Sequence, residues 1–175
     1  MAGKIIVGQY KTGVGTLLIG DYGGRICMCD WADDPFRGTL DRRLVRGTGA
    51  VMETGETEVT QEAYHQVMEY LTNRRREFDL PIVVVGTDFQ KAVWKAISSI
   101  PYGQVASYAH IARLIGLPQA CRPVAAACGA NRIAIIIPCH RVVASNGIGG
   151  YGGGVEIKRF LLWTEGSLER QSIAE

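Results

Sequence analysis

The sequence predicts an α+β protein in two parts, a small antiparallel sheet with helices over residues 1–80 and a helix-turn-helix part over residues 81–175. Three observations predict it. The first 31 residues alternate like strands around a Gly-Gly turn, apolar residues from Thr87 onward recur at helical spacing between recognisable caps, and the 67 residues Phe89–Val155 contain no Asp or Glu.

In the first part, "KIIVGQY" and "GTLLIGDYGGRICMCDW" read as strands, with Tyr22-Gly23-Gly24 as a hairpin turn, and a further strand is expected near Arg43–Arg46. "TQEAYHQVMEYLTNRRR" reads as a helix that buries Ala63, Val67, Tyr70 and Leu71 along one face. Arg74–Arg76 would then sit at its C-terminal end, where the helix dipole favours cations. "REFDLPIVVVG" is the expected connection to the second part.

In the second part, Thr87 and Gln90 fit a capping box ahead of the stripe Phe89, Val93, Ile97 and Ile100. Ser107 can cap a short helix, "YAHIARLI", closed by Gly116. Proline is tolerated only in a helix's first turn, so Pro123 makes the next helix begin near Arg122 and run to about Gly129. Arg122 therefore stands at an exposed tip, and the small residues Ala125, Ala126 and Ala127 follow it. The pair resembles a helix-turn-helix, although its connection "GLPQAC" is longer than the commonest form. "RIAIIIP" follows as an expected buried strand, then a glycine-rich loop, then a closing helix, "VEIKRFLLWTEG", that ends at Gly166.

Charge separates the parts. Residues 1–85 carry 10 basic and 12 acidic side chains, whereas residues 86–175 carry 9 and 5, so a polyanion would prefer the second part. Five cysteines, an odd number, with no secretory signal, argue against a disulfide framework and for a reducing cytoplasm. No apolar run approaches membrane-spanning length. Cys27 and Cys29 read as half-buried strand residues, since two thiols without a second pair or a nearby His make a poor zinc site.

The chemistry concentrates in "IIIPCHRVVA", where Cys139, His140 and Arg141 stand together after Pro138. A thiol at neutral pH is mostly protonated, so a working cysteine needs a base or a cation. Neighbouring side chains on a strand point to opposite faces, so contact between Cys139 and His140 needs a turn at Pro138-Cys139 or a water between them. A carboxylate should orient the imidazole. Asp88, Glu156 and Glu165 are the candidates, and Glu165, at the end of the closing helix, is the best placed if that helix packs back.

The segments "FDLPIVVVGTDFQKAVWKAISSIPYG", "SYAHIARLIG", "CRPVAAACGAN", "IPCHRVV" and "GGYGGGVEIKRFLLWTEG", within residues 78–166, together resemble the O6-alkylguanine-DNA alkyltransferases, also called methylated-DNA-protein-cysteine methyltransferases. The first 77 residues match only in outline. The resemblance implies a ribonuclease H-like N-terminal domain and a C-terminal winged helix-turn-helix domain. It implies Cys139 as acceptor thiol, His140 and Glu165 as its water-linked activating pair, Asn131 as a brace of the active turn, Tyr108 as the phenol that assists the leaving guanine, and Lys158 as a supporting cation. It also implies Arg122 as the finger that fills the gap left by a flipped nucleotide, with Ala125, Ala126 and Arg141 on the DNA side. The Val142 backbone, Tyr151 and Gly152 would form the base pocket. The chain departs from the family's common Arg-Ala-Val pattern at Pro123, and it has Gly152 where many relatives carry a larger residue. The implied activity is stoichiometric, irreversible transfer of an alkyl group from O6-alkylguanine, with O4-alkylthymine as a further substrate, in double-stranded DNA to Cys139. It needs no cofactor and no metal, and the protein is expected to act as a monomer in the cytoplasm.

Other readings explain less. Gly147, Gly149 and Gly152 satisfy G-x-G-x-x-G, but barely ten residues follow the closing helix, too few for a dinucleotide-binding unit. A winged-helix regulator without catalysis leaves Cys139, His140 and Glu165 idle. A cysteine hydrolase for small acyl substrates leaves the acid-free helix-turn-helix unexplained. A lesion-binding branch of the family lacks the acceptor thiol that Cys139 supplies.

Overall fold

The computed structural model describes residues 3–168 as a mixed α+β protein with a small sheet and surrounding helices. Two compact units form. One runs to Gly86 and also takes Arg132–Ile136, while the other comprises Thr87–Asn131 and the chain from Ile137 onward. The division expected from sequence lay at 80/81.

In the first unit β1 (Lys4–Lys11), β2 (Thr16–Tyr22) and β3 (Ile26–Trp31) form an antiparallel meander, and β4 (Val51–Thr54) pairs parallel to β1, giving the order β3-β2-β1-β4. The β2–β3 turn needs two left-handed residues, and Gly23 and Gly24 supply them at φ 61° and 78°. Ile5, Leu18, Cys27, Met28, Leu44 and Ala50 cluster in the core. All six residues of β3 are buried, so Cys27 and Cys29 are core thiols rather than half-buried ones. Burial pushes the Cys27 thiol up to about 12 and raises that of Cys29 as well.

The strand expected near Arg43–Arg46 is instead part of α1 (Arg37–Thr48), which buries Leu40 and Leu44 at helical spacing and ends at Gly49, φ 65°. Helix α2 (Glu58–Leu71) starts from a Thr57/Thr60 capping box and buries Ala63, Val67 and Tyr70, while Leu71 is only half-buried. It ends earlier than expected, so Arg74–Arg76 lie past it, and Arg75 bonds back to Glu69 at 2.7 Å.

The outer edge of β3 is covered by two pieces of chain. Ile82 bridges Ile26, and Ile133 bridges Cys29, both parallel. Here the expected strand "RIAIIIP" shrinks to a single bridge, with bonds from Cys29 N to Arg132 O and from Ala134 N to Cys29 O, both 2.7 Å. The chain then turns sharply, since Ile135 holds a left-handed φ of 69° and Ile136 N bonds Ala134 O at 2.8 Å. Extended pairing cannot continue through such a residue.

In the second unit, α3 (Asp88–Ser98) starts from the expected Thr87/Gln90 capping box and buries Val93, Trp94 and Ile97. Helix α4 (Tyr108–Leu114) is capped by Ser107, which accepts from His110 N, and Gly116 closes it at φ 75°. Helix α5 (Cys121–Gly129) carries Pro123 in its first turn, and Trp94 Nε1 donates to Ala127 O at 2.8 Å, joining α3 to α5. Strands β5 (Ala106–Ser107) and β6 (Val142–Val143) pair parallel, and α6 (Val155–Thr164) closes the unit. No helix among the described residues is long and apolar enough to cross a membrane.

Candidate active site

Cys139 opens a 3-10 turn, Cys139–Arg141, directly after Pro138. This is the turn that the adjacent Cys and His require, because it removes the strand geometry that would send them to opposite faces. Arg141 N bonds Pro138 O at 2.9 Å and Cys139 N bonds Ile137 O at 2.8 Å. Asn131 Nδ2 donates to the same Ile137 oxygen at 2.9 Å, so this buried amide braces the turn's entry. Cys139 is buried, with 8% of the residue exposed.

Behind it lies a buried charged network. His140 Nε2 and Glu165 Oε1 are 2.7 Å apart, and both side chains are fully buried. Arg141 grips the same carboxylate from two nitrogens, Nη2 to Oε1 at 2.9 Å and Nε to Oε2 at 2.9 Å, while its Nη1 donates to Ile100 O at 2.7 Å. Gly103 N adds a bond to Glu165 Oε2 at 3.3 Å. The carboxylate is delivered by the end of α6, where Gly166 N bonds Trp163 O and Ser167 N bonds Leu162 O, a Schellman closure around Glu165. Arg141 thus balances the Glu165 charge, and burial holds the His140 pKa below its ordinary value despite the carboxylate. A neutral imidazole with Nε2 against a carboxylate carries its proton there, an assignment from the network, which leaves Nδ1 as the basic nitrogen.

Lys158, fully buried on α6, donates to Val142 O at 2.7 Å and Gly150 O at 3.1 Å. Burial lowers its pKa to about 8, and the Cys139 and Cys128 thiols act the other way. Tyr108, half-buried at the start of α4, has its pKa pushed up to about 12, by burial first and then by the nearby thiols Cys128 and Cys139. Cys139, Tyr108 and Lys158 therefore share one electrostatic neighbourhood. Tyr151 and Gly152, half-buried, stand in the loop before α6.

Arg122 is exposed on α5, as the proline argument requires, while Ala126 is exposed and Ala125 half-buried. Arg141 is a different matter. It was grouped with them, yet it is 7% exposed and its fork is spent on Glu165 and Ile100 O, so it is part of the interior network and not of a surface. Two further residues stand in places that the sequence does not disclose. Gly149 sits at φ 78°, and a Cβ built there would lie 2.9 Å from Tyr108 Oη and 3.4 Å from Lys158 Nζ. Arg132, itself buried, pairs with the buried Asp30 and the part-buried Asp41. Only the glycine leaves a local signal, as one of several in "GIGGYGGG".

Comparison with known proteins agrees with this geometry. Residues 88–167 match the family model described as the DNA binding domain of 6-O-methylguanine DNA methyltransferase. A methylated-DNA–protein-cysteine methyltransferase of Methanosarcina acetivorans is 47% identical over 63% of this chain and 71% of its own length. The inducible methylated-DNA–protein-cysteine methyltransferase of Bacillus subtilis is 42% identical over 85% of this chain and 74% of its own. Among solved structures, Mycobacterium tuberculosis OGT in complex with DNA superposes with a TM-score of 0.78 at 33% identity, covering 96% of this chain and 98% of that one. With relatives this similar over most of their length, and a Cys-His pair turned onto a buried Glu and Arg, the chain belongs to the methylated-DNA–protein-cysteine methyltransferase family.

Proposed function

We propose that Cys139 is the alkyl acceptor of a single-turnover DNA repair reaction. The observation that carries this reading is the shielded thiol on a tight turn beside the buried His140–Glu165–Arg141 network. The protein repairs DNA by alkyl transfer, the activity for which its relatives are named. His140 takes the thiol proton through Nδ1, while Glu165 holds the ring and Arg141 holds Glu165. The Cys139 sulfur then attacks the alkyl carbon on O6, the carbon–oxygen bond breaks as the carbon–sulfur bond forms, and guanine leaves with the electron pair. Tyr108, kept protonated by its raised pKa, donates a hydrogen bond to the guanine as it departs. The product is a thioether without an easy hydrolysis route, so each molecule reacts once.

The lesion lies inside the base stack, so it must be turned out to reach the thiol. We assign α4 and α5 to a winged helix-turn-helix, with Arg122 entering the duplex and Ala125 and Ala126 allowing close approach. The pocket is formed by the Val142 backbone, Tyr151 and Gly152, and Lys158 supports it by tying Val142 O to Gly150 O. Residues 1–80 form the family's ribonuclease H-like N-terminal domain and residues 81–175 the DNA-binding and alkyltransferase domain. The protein acts as a cytoplasmic monomer on double-stranded DNA, with O4-alkylthymine as a further substrate. Intact-mass analysis after incubation with an O6-methylguanine duplex tests the reading. One methyl on the peptide that contains Cys139 supports it, and an unmodified Cys139 with the lesion consumed would sink it.

A further inference from the structure

The seven residues before Cys139 are held in a way that the reaction itself does not explain. Asn131 and Ile137 are joined by the bond from Asn131 Nδ2 to Ile137 O, which closes the base of an excursion made by Arg132–Ile136. The tip of the excursion is fastened to the first unit's sheet by the two backbone bonds around Cys29. There Arg132, 6% exposed, sends Nη1 to Asp30 Oδ2 at 2.6 Å and Nη2 to Asp41 Oδ1 and Met28 Sδ. Asp30 belongs to β3 and Asp41 to α1, so one guanidinium joins two elements to the segment that leads to the thiol.

Between this anchor and Cys139 stands Ile135, a β-branched residue in the left-handed region. Such a conformation persists only where the surroundings over-determine it, and strained residues of this kind gather at functional sites. Its two sides are held independently, by Arg132 and the β3 edge before it and by the doubly bonded Ile137 oxygen after it.

We infer that Arg132, clamped by Asp30 and Asp41, is a positioning residue for Cys139: it holds the left-handed turn at Ile135 and thereby sets where the thiol is presented. The inference rests on Cys139 being the acceptor. Arg132 acts through the chain and touches neither DNA nor the reacting atoms, so it affects transfer and leaves duplex affinity alone.

The test compares the native protein, Arg132→Lys, and the triple variant Arg132→Met/Asp30→Asn/Asp41→Asn, which removes the three paired charges together. Single-turnover transfer from an O6-methylguanine duplex, duplex affinity and melting temperature are measured for each. Small misplacements of a reacting group can cost roughly a hundredfold, so transfer should slow by about tenfold to a hundredfold in both variants. Duplex affinity should not change, and the triple variant should melt close to the native protein while staying slow. Transfer at the native rate in a folded variant, or recovery of rate together with melting temperature, overturns the inference and leaves Arg132 a stabilising ion pair. Should the triple variant not fold, Arg132→Lys decides alone, because it keeps the charge and loses the fork. Failure of the native protein to methylate Cys139 would instead remove the acceptor assignment.

Discussion

Arg141 holds Glu165 in a two-nitrogen grip while His140 shares the same carboxylate. Three consecutive residues, Cys139, His140 and Arg141, thus form one turn in which the thiol stands next in sequence to the two side chains that share Glu165. Removing Arg141 leaves Glu165 as an uncompensated buried charge, and loss of one partner from such a pair typically costs about 3–5 kcal/mol. Arg141→Ala should lower stability by that order in denaturant titration, and DNA affinity of the folded fraction should be unaffected. A stable variant with weakened duplex binding would return Arg141 to the DNA surface.

Cys139→Ser should abolish transfer and leave duplex binding intact and strongly salt-dependent, since affinity comes largely from phosphate contacts. Affinity measured over a salt series together with intact mass checks both halves of this expectation.

Arg122→Ala should slow repair of duplex DNA far more than reaction with free O6-benzylguanine. Holding a base out of the stack offsets a cost of a few kcal/mol, and each 1.4 kcal/mol lost is about tenfold in rate. Equal slowing of the two substrates would leave Arg122 an ordinary phosphate contact.

His140 imposes a pH dependence on folding. Its folded pKa lies below the ordinary 6.5 because the ring is buried, so the unfolded chain takes up a proton that the folded protein refuses. This destabilisation is absent well above pH 6.5 and grows as pH falls through it, by at most about 1.4 kcal/mol per pH unit. Chemical denaturation of the native protein and His140→Asn between pH 5 and 8 should show a flatter slope in the variant. Parallel slopes would mean that the folded His140 titrates like the unfolded one.

Gly149→Ala should damage the loop before α6. It places a Cβ 2.9 Å from Tyr108 Oη and keeps a φ of 78° that alanine adopts at a cost of about 1–3 kcal/mol. Transfer should slow and the melting temperature fall, whereas Gly150→Ala, whose Cβ meets nothing within 4 Å, serves as the control.

What the sequence discloses follows from how local the cause is. The starts of α3 and α4 and the position of Pro123 in α5 are written in a few adjacent residues, and each was legible. Glu165 was legible as well, because a closing helix of known length brings its end to a definable place. Helix α1 was misread because only Leu40 and Leu44 mark its buried face and its N-cap, Phe36, makes no side-chain cap. "RIAIIIP" has the composition of a buried strand, and nothing in a run of Ile announces that Ile135 turns left-handed. Arg132 looked like one more cation of an acid-free stretch because its partners, Asp30 and Asp41, lie about a hundred residues earlier. Arg141 was assigned to DNA for the same reason, its partner Glu165 being 24 residues away.

The cover over β3 has a consequence for solubility. An edge strand offers a row of unpaired amides and carbonyls to any other chain, and proteins blunt such edges to avoid association. Here the edge is the wholly buried "ICMCDW", which has no lysine or proline to discourage a partner, and residues 81–83 and 132–134 occupy it instead. A proteolytic nick or a substitution that releases Ile82 or Ile133 would therefore uncover a sticky apolar seam. Such a protein should first lose solubility, seen as concentration-dependent turbidity, before its sheet unravels.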